Sequence, residues 1–439
     1  MFQQLLPAEF LDQIQKQSGK RRNQGVYSAL VVMWLLVVQR LHGGASLEAA
    51  VLELLRGLPP GFWPRPCKRI REWRERGPSP SAHTGAYNQA RQALPLSVVE
   101  QSCDRIFEQL VAQMDQTASG QKRVFLLDGS SVRTAHSAAL CQLYPPGSTQ
   151  RAAGHWPLLR VLVAHDLHTG LAMRPEWGPM YGDQAVSEQA LLERALLRLP
   201  VGSTVMADAN FGIFSVAYLG TRNDYPVLVR LTLPRAQRLA GEPLRPGMDR
   251  VVVWRPSPAD RRSHRQLPAD ACVRGRLLVC QVQPNNGDRP FLLALFTTLE
   301  SSRDELLNLY GKRWNIETDL RVLKSTLHLD QITSVTPDMV AKEIDMGIAA
   351  YNLIRAMTYV ASQQSGIPPR AYSFTKVRRI LEILGPDLAA APNPQAAQRV
   401  FDLMMRCVQQ STLPRRRRKR PAYPRAVWRR GATFPDRHT

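Results

Sequence analysis

The sequence predicts a mixed α/β protein: a sheet flanked by helices, with an α-helical N-terminal domain before it and a β-rich insertion inside it. Three observations carry this prediction. From residue 122 onward, short apolar runs alternate with amphipathic helical stretches, the pattern of a mixed sheet. Before about residue 118 the apolar residues recur at helical spacing, with no strand signal. Between about 234 and 288 the texture shifts to Pro, Arg and Gly around two short β-like runs, Val251–Trp254 and Arg276–Val282.

A chain of 439 residues is too long for one ordinary domain. We divide it into a helical N-terminal domain, 1–118, an α/β domain, 119–365, and a basic C-terminal region, 366–439. In the first, Ala29–Leu41 is strongly apolar, His42-Gly43-Gly44-Ala45 breaks it, and Ser46 is placed to cap a helix over Leu47–Leu55. This is either a helix-turn-helix that reads DNA or an ordinary helical hairpin. Leu96–Met114 is a further helix. In the second, strands are expected at Arg123–Leu127, Leu158–His165, Thr204–Ala207, Pro226–Leu233 and Phe291–Phe296. Helices are expected at Ala185–Leu199, Asp304–Leu329 and 338–363. The region from Gly366 is weakly periodic and runs into Arg415-Arg416-Arg417-Arg418-Lys419-Arg420.

Lys and Arg number 58 against 36 Asp and Glu, a net charge of +22. Such an excess points to a polyanion, most simply nucleic acid, because neutralised phosphates release their counterions. A merely basic protein would carry the same charge. The six cysteines are scattered with no Cys-x-x-Cys pair, which argues against zinc and against a disulfide framework and suits a reducing cytosol. The most apolar stretch, Val26–Val38, is shorter than the ~20 residues that cross a bilayer. The first residues lack a basic leader, so neither a signal peptide nor a membrane span is expected.

Asp128 and Asp208 each follow an apolar strand, where a carboxylate reaches the active edge of an α/β sheet. Taken alone, an aspartate there is more often a turn residue or helix cap. More specific is the stretch holding Tyr310, Arg313, Glu317 and Lys324, at offsets 0, 3, 7 and 14. On one continuous helix these fall within about 60° of one another. Arg313 and Glu317 alone would also make an ordinary i,i+4 ion pair on a solvated face.

The spacing Tyr-x2-Arg-x3-Glu-x6-Lys resembles the YREK signature of insertion-sequence-four-type DDE transposases, and Tyr310, Arg313, Glu317 and Lys324 match it without a gap. Asp128 in Leu-Asp-Gly-Ser-Ser-Val-Arg and Asp208 in Ala-Asp-Ala-Asn-Phe resemble the first and second aspartates. Tyr351-Asn352-Leu353-Ile354-Arg355 is also similar. The likeness covers about residues 122–356, and Ala209-Asn210 departs from the more usual Arg-Gly. It implies a ribonuclease-H-like core with Asp128, Asp208 and Glu317 as a metal-binding catalytic triad. The interval between the aspartates is 80 residues (208 − 128). From Asp208 to Glu317 it is 109 (317 − 208), long enough to hold the insertion.

Two Mg²⁺ ions about 3.5–4 Å apart, replaceable by Mn²⁺, would activate water and stabilise the leaving oxygen. The resemblance further implies that Arg313 and Lys324 hold phosphates and that Tyr310 touches the backbone or a terminal base. Arg321 either assists or is solvated. Trp254 either stacks on a flipped base or packs in the sheet. The implied partners are double-stranded DNA, as element ends and target, and a second copy of the chain. The implied setting is the bacterial cytoplasm, on the nucleoid. A nuclease that never joins DNA, or a catalytically idle DNA-binding relative, would share most of these features.

Removing Arg415–Arg420 should weaken binding to DNA of every sequence and flatten its salt dependence. A salt titration of binding checks this, and an unaltered slope would show the run to be idle.

Overall fold

The computed structural model describes residues 2–19, 25–77, 80–115, 123–148, 153–283 and 289–414. Arg415, Arg416, Arg417 and Arg418 lie outside them. Ten strands are described: β1 (Val124–Thr134), β2 (Pro146–Ser148), β3 (Ala153–Asp166), β4 (Glu176–Pro179), β5 (Thr204–Ala207), β6 (Val227–Leu231), β7 (Asp249–Trp254), β8 (Val273–Val282), β9 (Phe291–Thr297) and β10 (Gln331–Ile332). They make one mixed sheet in the order β2-β3-β1-β5-β6-β9-β8-β7, with β4 on β3 and β10 on β1. β5 and β10 run parallel to β1, and β6 runs parallel to β5. β3 runs antiparallel to β1, and β4 antiparallel to β3. Strands β4-β3-β1-β5-β6 thus form the ribonuclease-H-like mixed sheet that the resemblance implied.

β5 is buried along its whole length, and β1 is buried over Phe125–Leu127, because helices cover both faces. The insertion does not stand apart. β7 and β8 continue the same sheet beyond β9, with Trp254 opposite Val273 and Leu277 opposite Phe296. It also contains two helices, Leu233–Ala240 and Pro258–Ser263, so it is less purely β than its composition suggested.

The N-terminal helices pack on the long helix Pro337–Ser365, which also carries the C-terminal helices. A single apolar cluster runs from Phe2 to Val408. Ala29–Leu41 is buried on nearly every side, and Ser46 caps Leu47–Arg56 as expected, its Oγ accepting from the Ala49 N–H. The region after Gly366 corrects the sequence expectation. It forms two helices, Phe374–Ala389 and Pro394–Gln409, whose apolar stripes pack against one another and against the long helix. Pro386 inside the first and Pro394 at the start of the second obscured their periodicity.

A buried charge joins the N-terminal helices to the long helix. Glu343 accepts from Arg40 and from the Ser334 hydroxyl at 2.5 Å, with Arg91 at 3.7 Å. Replacing Glu343 by Ala strands the Arg40 guanidinium without a counterion. A buried pair broken on one side costs about 3–5 kcal/mol. Glu343→Ala should therefore lower the thermal midpoint clearly, and a melting curve matching the parent would refute this coupling.

Candidate active site

β1 does not end at Asp128. It continues to Thr134, because residues 128–133 keep pairing with β3 from Val163 to Leu158. Asp128 is therefore held mid-strand by ladders rather than in a turn. β1 and β5 pair as Val124 with Thr204, Phe125 with Val205 and Leu126 with Met206. The register offset is 80 (204 − 124), the same as the interval between the aspartates. Continuing it by two residues sets Asp208, just past the end of β5, level with Asp128. Neighbouring strands lie about 4.8 Å apart, and residues two apart share a face. The two carboxylates therefore sit side by side at the sheet edge.

Their electrostatics agree with this placement. Burial pushes the Asp128 carboxyl up to about 6, and the negative charges of Asp208 and Glu188 push the same way. The Gly129 N–H, donating to Asp128 Oδ1 at 2.8 Å, and the nearby Arg313 guanidinium oppose the rise. Asp208 Oδ1 accepts from the Asn210 N–H at 2.9 Å.

Glu188 is an acid that sequence reasoning missed. Ser187 caps the helix Glu188–Leu196 and places Glu188 in its first turn. A Cβ on Gly129 would overlap the Glu188 carboxylate, so glycine is what lets this acid lie across β1. Asn210 Nδ2 donates to Glu188 Oε2 at 2.5 Å, and Gln189 Nε2 donates back to Asn210 Oδ1 at 2.8 Å. The departure noted at Asn210 thus ties the Asp208 loop to the Glu188 helix. Its only sequence signal was that unusual residue.

The signature segment is not one continuous helix. Arg303–Gly311 and Asn315–Ser325 are α-helices separated by a 3₁₀ turn, Lys312–Trp314. A tighter turn advances each residue by more than an α-helix does, so the single-face arithmetic fails across it. Tyr310 falls behind the surface. Its hydroxyl is out of solvent with no hydrogen-bond acceptor or donor in geometry, and burial pushes its ionisation up to about 12. Tyr310 is thus buried near Arg313, where the sequence had placed it on the same exposed face.

Arg313 Nη2 stands 3.3 Å from Glu317 Oε1, and its guanidinium lies 5.7 Å from the centre of the Trp314 ring. Glu317 is exposed, Arg321 is exposed, and Lys324 is half-buried on the next turns. Of the two readings of Trp254, the structure takes packing. It is buried edge-on against Phe214 and Phe296, because β7 joins the main sheet and its inward side chain fills the core. The solvent-exposed aromatic beside the site is Trp314 instead. His165 is fully buried, and burial drives it down to about 4, so it is neutral and structural.

Residues 119–353 match a family model described as the transposase DDE domain, 235 (353 − 119 + 1) of the 439 residues. The chain belongs to this DDE transposase family. It is 25% identical over 393 residues to the transposase InsG of insertion sequence element IS4 from Escherichia coli (strain K12), covering 82% of this chain and 79% of that one. It also aligns with a cryo-EM structure of piggyBac transposase in a synaptic complex with hairpin DNA. That match has 12% identity and a TM-score of 0.46, over 94% of this chain and 85% of the other.

A divalent cation suits the donors of this DDE family member. The aspartate pair is all hard oxygen, and a cation would offset both the burial that chiefly raises Asp128 and the smaller repulsion from Asp208. Among the described residues, no three acids, histidines or cysteines converge in metal-binding geometry. Glu317 is engaged by Arg313. The structure thus sets Asp128 and Asp208 at one level of the sheet and leaves Glu317 ion-paired to Arg313.

The raised Asp128 carboxyl has a thermodynamic consequence. The folded state holds the Asp128 proton more tightly than the unfolded chain does. Its stability is then full below the ordinary aspartate value and is lost as pH rises through about 6. Asp128→Asn should stabilise the fold by about 1–2 kcal/mol near neutral pH after allowing for partial exposure. The gain should vanish near pH 4. Melts across pH check this, and a variant less stable at neutral pH would contradict it.

Proposed function

We propose that this chain is the transposase of an insertion sequence, cutting DNA at the element's ends and joining the freed 3′-hydroxyl to target DNA. The observation that carries this reading is the register match of Asp128 and Asp208 beside the Arg313–Glu317 turn, in a member of the DDE transposase family. Double-stranded DNA is the proposed substrate. Two copies bridging two ends form the proposed assembly, and the bacterial cytoplasm is the proposed setting. Among the described residues no helix is long and apolar enough to cross a membrane.

Asp128 and Asp208 would hold Mg²⁺, with Mn²⁺ as a substitute, and Glu317 would complete the set on leaving Arg313. When bound, the ions supply a nucleophilic hydroxide and neutralise charge on the leaving oxygen. The chain's own residues do the rest. Arg313, freed from Glu317, grips a phosphate with a two-pronged guanidinium, and Lys324 adds a point charge further along the same strand. Exposed Arg321 extends this basic track. Trp314 offers a flat face beside Arg313 on which a base can stack. Tyr310 supports Arg313 from behind. The same site can serve cutting and joining, because both are attacks on a phosphodiester by a hydroxyl and neither needs a covalent protein–DNA bond.

The test is incubation with the flanking DNA ends and Mg²⁺, with the products mapped, alongside a pre-cut end bearing a 3′-hydroxyl. Joined product is expected. Hydrolysis without joining would reduce the reading to a nuclease. Asp208→Ala should abolish Mg²⁺-dependent cleavage while leaving DNA binding within about twofold, and unchanged cleavage would refute the site.

A further inference from the structure

Two residues beyond Glu317, Asp319 is wholly buried on the opposite side of the same helix. Residues two apart are separated by about 200° around an α-helix. Ile316, Leu320 and Leu323 share the buried side. Asp319 Oδ1 accepts from Arg355 Nη2 at 2.6 Å and from the Tyr351 hydroxyl at 3.1 Å. Arg370 Nη1 donates to Oδ1 at 3.1 Å and to Oδ2 at 2.9 Å. Burial alone would raise the Asp319 carboxyl, but the two guanidinium groups outweigh it and hold it below its ordinary value. Asp319 is therefore a saturated anion, unavailable to substrate.

Its partners are fixed in turn. Arg355, on the long helix, donates through Nε to the Tyr351 hydroxyl at 2.9 Å and lies 5.2 Å from the Phe374 ring centre. A Cβ on Gly170 would come within 2.8 Å of Arg355 Nε, so the turn after β3 is shaped to admit this guanidinium. Arg370 reaches that turn too, donating to the carbonyls of Leu167 at 2.6 Å and Asp166 at 2.8 Å. Asp166 Oδ2 accepts from Arg123, beside the start of β1, at 2.9 Å. One carboxylate therefore ties the Glu317 helix to the long helix, to the end of β3 and, through Asp166, to the strand that carries Asp128.

We propose that Asp319, with Arg355 and Arg370, is a positioning cluster that sets the rotation of helix Asn315–Ser325 and so where Glu317 and Lys324 stand relative to Asp128 and Asp208. This rests on the proposed function for its consequence but not for its geometry. Apolar contacts hold a helix by shape alone and are not directional. Three donors in fixed positions around one carboxylate are. Buried ion clusters give little net stability over well-packed apolar residues, so specifying one orientation is the role that accounts for this one.

Arg370 is the member to change. Its side chain is the most exposed of the three, and removing it leaves the Asp319–Arg355 pair balanced. In the full-length chain, Arg370→Gln should speed amide exchange across 312–325 by about tenfold while β1 keeps its protection. Turnover on the element's own ends at saturating DNA should fall about tenfold or more, with half-saturation within twofold, because a displaced group loses rate rather than affinity. Arg370→Lys, which keeps one charge, should recover part of both. Asp319→Asn should be more severe in each. Unchanged exchange over 312–325 in folded Arg370→Gln overturns the proposal, as does equal loosening of β1, which would mark a general structural role. If the parent chain cleaves nothing, the functional reading fails, and the exchange measurement still decides the cluster.

Discussion

β1 is bonded along both edges, to β3 over Phe125–Arg133 on one side and to β5 and β10 on the other. That double ladder is the constraint on which the site depends. It fixes the height of Asp128, and the parallel pairing with β5 then leaves Asp208 no other level to occupy. A slip of one residue would send one carboxylate to the opposite face, because side chains alternate along a strand. A slip of two would separate them by about 7 Å along the strands. The buried apolar residues of both strands resist either slip.

Around this frame the site is assembled from like charges. Asp128, Asp208 and Glu188 crowd one sheet edge, and the fold tolerates them through Asn210, the Gly129 N–H and the guanidinium groups of Arg160 and Arg313. Burial, with a smaller push from the neighbouring acids, raises the Asp128 carboxyl. The opposite device operates a few residues away, where Asp319 is buried deeper yet kept anionic by matched guanidinium groups. The two aspartates differ in purpose for a physical reason. One is left with its carboxyl raised by burial and neighbouring acids, whereas the other is paired with two guanidinium groups.

Much of this was legible in the residues. The apolar runs before Asp128 and Asp208, and the signature spacing through Glu317, indicated the family. The charge excess indicated a polyanionic partner. What failed did so where tertiary contacts override local pattern. The helix arithmetic assumed one uninterrupted helix and so brought Tyr310 to the surface. The residues leave Trp254 between stacking and packing, because what β7 packs against is decided by distant segments. Glu188 has no motif at all, since only folding brings its helix across Gly129.

The sequence by itself determined the mixed α/β class, the positions of the acids and the 80-residue interval between the aspartates, because hydrophobic period and residue chemistry are local properties. Only the tertiary structure decided that this interval equals the β1–β5 register offset, that Glu317 faces Arg313, and that Asp319 rather than Glu317 is the buried anion. Pairing register, helix rotation and burial are set by contacts between segments far apart in the chain. No local pattern encodes them.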